Sequence, residues 1–480
     1  MLKNIFILSF ISLGSFAWGQ ETWSLEKCVT YAQENSRLVK QGQVAVGNAK
    51  LSQKAADFDR YPSVSAGSNF GLNFGRSVNP STYAFENRST NFQSWSINAS
   101  VLLYNGGRLQ NAVRQSNLDR KASEADLENT AANIALSVAQ AYLQILLNEE
   151  QLANARKRVQ TTQSQLDRTE RQIKAGQLAP NARYDLQAQV ARDEQQIVTA
   201  ANNADLSYLN LKNLLELSPD RDIKIEKPTI VVPKDANPEG FMFKAIYNQA
   251  LGWQPQIKAG EYRIKSAEMG VKIAEAALLP SLSASAGIST NYSSTIQDFN
   301  NPNFTNTTQS LGKAVPVKID GKDAFIQQYS VEGVTFPKTP YFGQLDNNLG
   351  QGIGLNLQIP IFDGFNRKIG IQRQKLNVES QNLALDAQKQ QLKTDVQNAI
   401  ASSRAGKKQY EASLKTFEAQ KAAYDAADKR LASGAGNSFE VTQAKNNLDN
   451  AERDVTVAKY DYIFRLKIVD FYEGKKLTLK

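Results

Sequence analysis

The chain of 480 residues has no histidine and a single cysteine, Cys28. Without histidine there is no Ser-His-Asp or Cys-His arrangement, and the commonest metal ligand is missing. One cysteine excludes an intrachain disulfide and leaves no cysteine cluster for zinc, so stability has to come from packing or assembly. Blocks of one charge are also absent. The formal net charge is +9, yet Lys and Arg alternate with Asp and Glu along the chain, which is not the basic face with interleaved aromatics that nucleic acid requires. Carboxylates spread in this way read as solvated helix faces, and the scattered serines complete no catalytic constellation. No enzyme activity, metal, cofactor or nucleic-acid partner is expected. Beyond residue 19, no apolar run approaches the ~20 residues of a spanning helix. If such a chain crosses a membrane, it does so as a closed β-barrel.

What is present begins with a leader. Lys3 precedes the apolar run "IFILSFISLGSFA", and Ala17-Trp18-Gly19 offers a small-x-small cleavage site before Gln20. Residues 1–19 are therefore expected to be a signal peptide, which places the mature chain outside the cytoplasm. Lys27, next to Cys28, is not the small residue a lipoprotein cleavage site wants, and Cys28 lies too far past the apolar run.

The remainder repeats itself. "VLLYNGGRLQ" at 101–110 returns as "IPIFDGFNRK" at 359–368, so Tyr104, Asn105 and Gly106 match Phe362, Asp363 and Gly364 at an offset of 258. Pro62-Ser63-Val64-Ser65 matches Pro280-Ser281-Leu282-Ser283 at an offset of 218, so the second copy carries 40 extra residues between these motifs. Gly176 and Gly434 again stand 258 apart. The first repeat is taken as 20–240 and the second as 241–480.

Each copy holds two segments that alternate with period two, the mark of strands with unlike faces. Strands are expected at 62–75, 92–104, 280–293 and 350–362. Val64, Ala66, Phe70 and Leu72 alternate with Ser63, Ser65, Gly67 and Asn69, and Ile353, Leu355 and Leu357 alternate with Gly352, Gly354 and Asn356. The polar faces hold only small or amide side chains. All four segments have about the length of transmembrane β-strands. Four strands cannot close a barrel, because the smallest need about eight, and an open edge in lipid leaves backbone groups unpaired. The barrel must be shared between chains. Arithmetic allows two chains making eight strands or three making twelve.

Long helices are expected at 107–175 and 366–433, each roughly 100 Å at 1.5 Å per residue. A heptad ladder runs through Ala131, Val138, Ile145, Leu152, Val159, Leu166 and Ile173; the second copy has Val396, Ser403, Tyr410, Phe417, Tyr424 and Leu431 on the same spacing. Strict period seven imposes supercoiling against a neighbour. Shorter helices at about 25–56 and 183–216, then 241–277 and 438–472, have summed lengths that match the long ones. "AGQLAPNA" at 175–182 and "SGAGNS" at 433–438 read as tight helix-helix turns, with Gly176 and Gly434 as left-handed caps. Gly106, Gly107 and Gly364 mark the handover from strand to helix. Residues 75–91 and 293–349 read as external loops.

Taken together, "SLEKCVTYAQENS", "VLLYNGGR", "IPIFDGFNR", "RYDLQAQ" and "SFEVTQAKNNL", in this order and duplicated, resemble the TolC family of outer-membrane efflux proteins over essentially the whole mature length. The resemblance implies an α+β membrane protein in the outer membrane of a Gram-negative cell. It implies a homotrimer whose twelve-stranded transmembrane β-barrel, four strands per chain, continues into a long α-helical coiled-coil barrel across the periplasm. It further implies a passive exit duct docked to a periplasmic adaptor and an inner-membrane pump, or to a type I secretion system. On this resemblance Gly176, Gln177, Leu178, Gly434, Ala435 and Gly436 form the adaptor-docking tips, and Asp185 and Glu440 match an acidic closing constriction. Gln443 stands where the family's best-known gate has another acid, and Gly436 where it has an arginine. Asp185 and Glu440 also read simply as first-turn acids that favour a helix N-terminus. The alternative is a periplasmic coiled-coil scaffold with a small soluble sheet and no pore.

Overall fold

The structure, a computed structural model, describes residues 22–78, 83–228, 232, 237–304, 308–310, 315–326, 329–331 and 334–478. The expected signal peptide, and 79–82 of the loop expected at 75–91, lie outside the described residues. In chain order the elements begin with β1 (Thr22–Trp23), α1 (Leu25–Asn35), α2 (Arg37–Phe58), β2 (Ser63–Val78), β3 (Phe85–Tyr104), α3 (Arg108–Lys174), α4 (Ala182–Leu214) and β4 (Lys224–Ile225). The second half continues with α5 (Phe243–Trp253), α6 (Pro255–Ala276), β5 (Ser281–Ser293), the short strands β6 (Asn303–Phe304), β7 (Thr308–Ser310), β8 (Val315–Ile319), β9 (Lys322–Ile326), β10 (Tyr329–Val331) and β11 (Val334–Thr335), then α7 (Tyr341–Asn347), β12 (Gly350–Gln358), α8 (Asn366–Ala432) and α9 (Ser438–Tyr472). Two compact units result. Unit 1 comprises the described residues of Met1–Gln53, Arg114–Glu268 and Lys375–Lys480; unit 2 comprises those of Lys54–Val113 and Met269–Gln374.

Unit 2 is built on one antiparallel sheet in the order β12-β5-β3-β2. Its register aligns the two copies. Ser63 faces Ser100, Ser100 faces Ser285 and Ser285 faces Gly354; the next polar row is Ser65, Asn98, Gly287 and Gly352. Between them, Val64, Ala99, Ala286 and Ile353 form an apolar row. The apolar side chains stay exposed, Val64 at 70% and Ile353 at 90%. β2 and β12 are the sheet's two edges, each paired on one side only.

Three boundaries differ from expectation. β2 runs on to Val78 and β3 starts at Phe85, because Phe85↔Val78 and Glu86↔Ser77 continue the ladder. β12 stops at Gln358, since its partner β5 starts at Ser281 and offers no further residues. The loop expected at 293–349 is not wholly irregular. β6 pairs β11, β7 pairs β10 and β8 pairs β9, all antiparallel and nested about Asp320-Gly321. Both turn residues have positive φ, 50° and 75°, as a two-residue hairpin turn of type I′ requires.

Unit 1 is helical with two cores; the second is built on the second repeat, whereas the first is drawn mainly from the first repeat and also takes in Tyr460 and Ile463 of α9. The first gathers Cys28, Val39, Val138, Tyr142, Ile145, Leu211 and Leu215; the second gathers Ile246, Ile257, Leu392, Val396, Ile400 and Val469. β1 and β4 form a two-residue parallel bridge, held by the Tyr142 hydroxyl at 3.1 Å from the Trp23 carbonyl and 2.7 Å from that of Glu226. The first helix of each repeat is broken in two, at Ser36 and at Gln254. An 18-residue window of α3 reaches the length and apolarity of a membrane span, contrary to the sequence expectation, but half of it is buried within the protein. Ile134, Val138, Tyr142 and Ile145 close onto the first core, so this stripe is explained by packing. The polar heptad position Ser403 is fully buried and its hydroxyl donates to the Ile400 carbonyl at 2.8 Å.

Candidate functional site

Two sets of residues in unit 1 and one in unit 2 bear on function. At the first helix tip, Gly176 has φ +72°; its N–H donates to the Ile173 carbonyl and that of Gln177 to the Gln172 carbonyl, both at 2.9 Å. The second tip repeats the arrangement: Gly434 at φ +77°, with Gly434 donating to Leu431 and Ala435 to Arg430. Both close a helix by the same pair of reversed bonds, which satisfies its last carbonyls. Gly436 is held differently. A Cβ there would meet the Leu431 nitrogen at 3.0 Å and the Arg430 carbonyl carbon at 3.2 Å. Leu178 is half-buried, whereas Gly176, Gln177, Gly434 and Ala435 are exposed.

The acids after the tips are exposed. Asn437 caps α9 by accepting from the Glu440 N–H at 2.8 Å, and the Glu440 carboxylate lies 3.7 Å from Arg430 across its own turn. Asp185 is in the first turn of α4. Gln443 donates to Asn447 of its own helix at 3.3 Å. Among the described residues no hydrogen bond or ion pair joins Asp185 to Glu440 or Gln443.

Deeper in the same helices lies a constellation the sequence reading missed. Asp193 of α4 accepts from Thr162 Oγ1 of α3 at 2.7 Å and from Gln189 Nε2 at 2.8 Å. Lys445 Nζ donates to Asp449 Oδ1 within α9 at 2.6 Å. Asp449 Oδ2 is 3.3 Å from Arg158 Nε of α3, and Arg158 Nη2 also donates to the Asp449 carbonyl at 3.1 Å. Gln165 of α3 donates to the Tyr424 hydroxyl of α8 at 2.6 Å. Asp193, Lys445 and Asp449 are buried to within a few per cent, so these three are not the solvated face the charge pattern predicted. Their positions give the reason: Leu186, Gln189 and Asp193 share the inward stripe of α4, as Val441, Lys445 and Asp449 do in α9. Desolvation pushes the Asp449 carboxyl above the usual Asp range, against the pull of Lys445 and Arg158. A polar cavity of about 380 Å³ opens beside these groups, lined among others by Arg158, Gln189, Asp193, Asp449 and Arg453.

In unit 2 the strand-to-helix junctions explain the duplicated motif. Asn105 Oδ1 accepts from the Leu109 N–H at 3.4 Å, and Asp363 Oδ2 from the Arg367 N–H at 3.0 Å. The amide and the acid do the same capping work in the two copies. Gly106, Gly107 and Gly364 all have positive φ. Phe365, matching Gly107, adopts φ +66° without being glycine. Among the described residues no group of three or more His, Cys, Asp or Glu is placed to hold a metal.

A profile of the family described as outer membrane efflux protein matches residues 29–216 and 346–466. The probable outer membrane lipoprotein SilC of Salmonella typhimurium is 24% identical over 269 residues, covering 55% of this chain and 55% of that protein. The chain thus spans about half the length of the curated relatives it matches. Among solved structures, CusC superposes with a TM-score of 0.73 at 17% identity, over 94% of this chain and 92% of its own. The outer membrane channel CmeC of Campylobacter jejuni does so with a TM-score of 0.71 at 17% identity, over 99% and 94%. At such identities the likeness is one of fold.

Proposed function

Because the chain belongs to the outer membrane efflux protein family, we propose that it is an outer-membrane exit duct, serving a tripartite efflux pump or a type I secretion system. In this reading three copies pool their four strands into a twelve-stranded barrel. The observation that carries it is the sheet of unit 2. It has an exposed apolar face, an opposite face of Ser, Gly and Asn, and two edges without partners. In lipid, unpaired edge groups cost several kcal/mol each, so joining β12 of one copy to β2 of the next removes the cost and closes a hole. The apolar rows then meet lipid, and the small polar rows line a wet lumen.

The helices α3, α4, α8 and α9 extend the duct through the periplasm, and the turns around Gly176, Gln177 and Leu178 and around Gly434, Ala435 and Gly436 are where an adaptor docks. Asp185, Glu440 and Gln443 line the entrance. No covalent chemistry is required of the chain: the partner pump supplies the energy and the aperture selects. The test is the mass and conductance of the detergent-extracted protein. A trimer that forms ion-conducting pores in bilayers is expected. A lone subunit released from membranes without detergent, or a trimer that stays non-conducting with its closing contacts removed, would leave the scaffold reading instead.

A further inference from the structure

Phe92 is out of place on its face of the sheet. Over Ser63–Gly71, Ser94–Ser100, Ser281–Ser293 and Gly350–Gln358, the polar face of the four long strands carries only Ser, Gly, Asn and Gln. β3 adds two apolar side chains to that face, Leu102 opposite Ser283 and Phe92 opposite Ser293. They stand ten residues apart. At about 3.3 Å per residue and a strand tilt of about 40°, that is about 25 Å along a barrel axis, the height of the apolar band of such barrels. Leu102, next to the junction with α3, is therefore at the inner edge of the band and Phe92 at its outer edge.

Phe92 is paired with Gly71 of β2 on its other side, and its ring lies across that glycine. A Cβ on Gly71 would fall 2.9 Å from Phe92 Cε2 and nearer still to Cζ and Cε1, so the ring fills the place where a side chain would stand. An aromatic laid on a strand glycine in this way shields bare backbone. The other neighbours across the strands on this face all carry side chains: Asn69 and Asn73 of β2, Asn291 and Ser293 of β5. Ser293 is itself engaged, with its Oγ 2.9 Å from Thr295 Oγ1 and its N–H donating to Gln344 Oε1 of α7 at 2.9 Å. Gly71 is the one bare place on which the ring can rest.

We propose that Phe92 sets the width of the outer mouth of the duct, with Gly71 as its positioning residue. The inference rests on the exit-duct reading and deepens it. In a ring of three copies, three Phe92 side chains lie at one level of the lumen wall, each folded down on its glycine, and the largest cargo that leaves is the one that clears them in that pose. A side chain at position 71 displaces the ring, and with the sheet behind it and side chains on either hand the ring moves toward the lumen. Size selection at the exit thus depends on a missing Cβ.

The test is the access of thiol reagents, added outside intact cells, to Ser285→Cys in the full-length protein. Ser285 shares a row with Ser100, eight residues below Phe92, and buried Cys28 does not compete. Two reagents are compared, a small charged methanethiosulfonate and a maleimide on a polyethylene glycol chain just short enough to enter the parent. Gly71→Ala should slow the large reagent by about tenfold, about 1.4 kcal/mol of added barrier, and leave the small one within about twofold. Adding Phe92→Ala to Gly71→Ala should restore the large reagent's rate, a recovery that a ring serving only sheet stability does not give. Ser94→Phe covers a Gly71 variant that does not assemble. It leaves the Gly71–Phe92 pair intact and sets a second ring between Asn69 and Asn291, with no glycine to lie on, so it should also exclude the large reagent. If assembled Gly71→Ala or Ser94→Phe admits the large reagent at the parent rate, or if Phe92→Ala restores nothing, Phe92 does not set the mouth while the duct stands. If the small reagent reaches position 285 in no variant, the lumen is closed to water, and the duct reading fails with the aperture.

Discussion

Replacing Gly106 by alanine should be much more damaging than the same change at Gly176, although both glycines end a regular element at nearly the same φ, +66° and +72°. An L-residue in the left-handed region costs roughly 1–2 kcal/mol, and this is common to both. At Gly176 an added Cβ meets nothing within 4 Å, so the cost stops there. At Gly106 it would lie 2.8 Å from Leu279 Cβ and Cδ1 and 3.0 Å from the Ala276 carbonyl oxygen. Leu279 Cδ1 can turn away, but Leu279 Cβ is fixed by its backbone and the Ala276 carbonyl is backbone at the end of α6, so neither of these can. Overpacking of this kind adds roughly 1–3 kcal/mol, giving a total of about 2–5 kcal/mol at Gly106 against about 1–2 at Gly176. Equilibrium urea unfolding of the detergent-solubilised variants measures the difference. Equal midpoints would refute the reasoning, because they would mean that α6 does not press on the junction.

Other consequences are equally direct. Tyr142→Phe removes the donor held by the Trp23 and Glu226 carbonyls and should cost about 1–3 kcal/mol, read in the same unfolding assay; no loss would mean that the β1–β4 bridge is not tied by this hydroxyl. Cys28 is buried and its thiol pKa is pushed up to about 12, so native protein at pH 8 should resist alkylation that goes to completion in denaturant; rapid native labelling would contradict the packing of α1. Cysteines placed at Gly352 and Ile353, neighbours in β12, should differ in the assembled protein: a water-soluble thiol reagent should label position 352 and not 353, since the side chains point to opposite faces. Equal labelling would place the sheet in water.

Much of the architecture was legible because two periods dominate it. Alternation marked the four long strands and the heptads marked α3 and α8, both direct consequences of one face meeting a different medium from the other. Register was not legible, since the row Ser65, Asn98, Gly287, Gly352 depends on pairing between copies that no local pattern encodes. The breaks at Ser36 and Gln254 were missed although Pro255 announces one of them: a residue before proline avoids the helical region. Ser36 and Gln254 are 218 apart, so the repeat carries the signal to the other copy. The Asp320-Gly321 turn stands in plain view between Val317, Ile319 and Ala324, but the surrounding segment is rich in Asn and Thr and reads as a loop. The buried constellation was hidden for a different reason. Lys445 and Asp449 stand at i and i+4 like any surface pair, and only the inward stripe through Val441 distinguishes them.

The two units differ in what can exist before assembly. The helical unit closes two apolar cores within one chain, whereas β12 is exposed along its whole length and apolar residues of every long strand face solvent. On the exit-duct reading, a newly exported subunit can thus fold its helices in water but has nothing against which to settle its strands. Formation of the pore should follow a rate law of high order in subunit concentration, with half-built monomers as clients for whatever shields bare strands in transit.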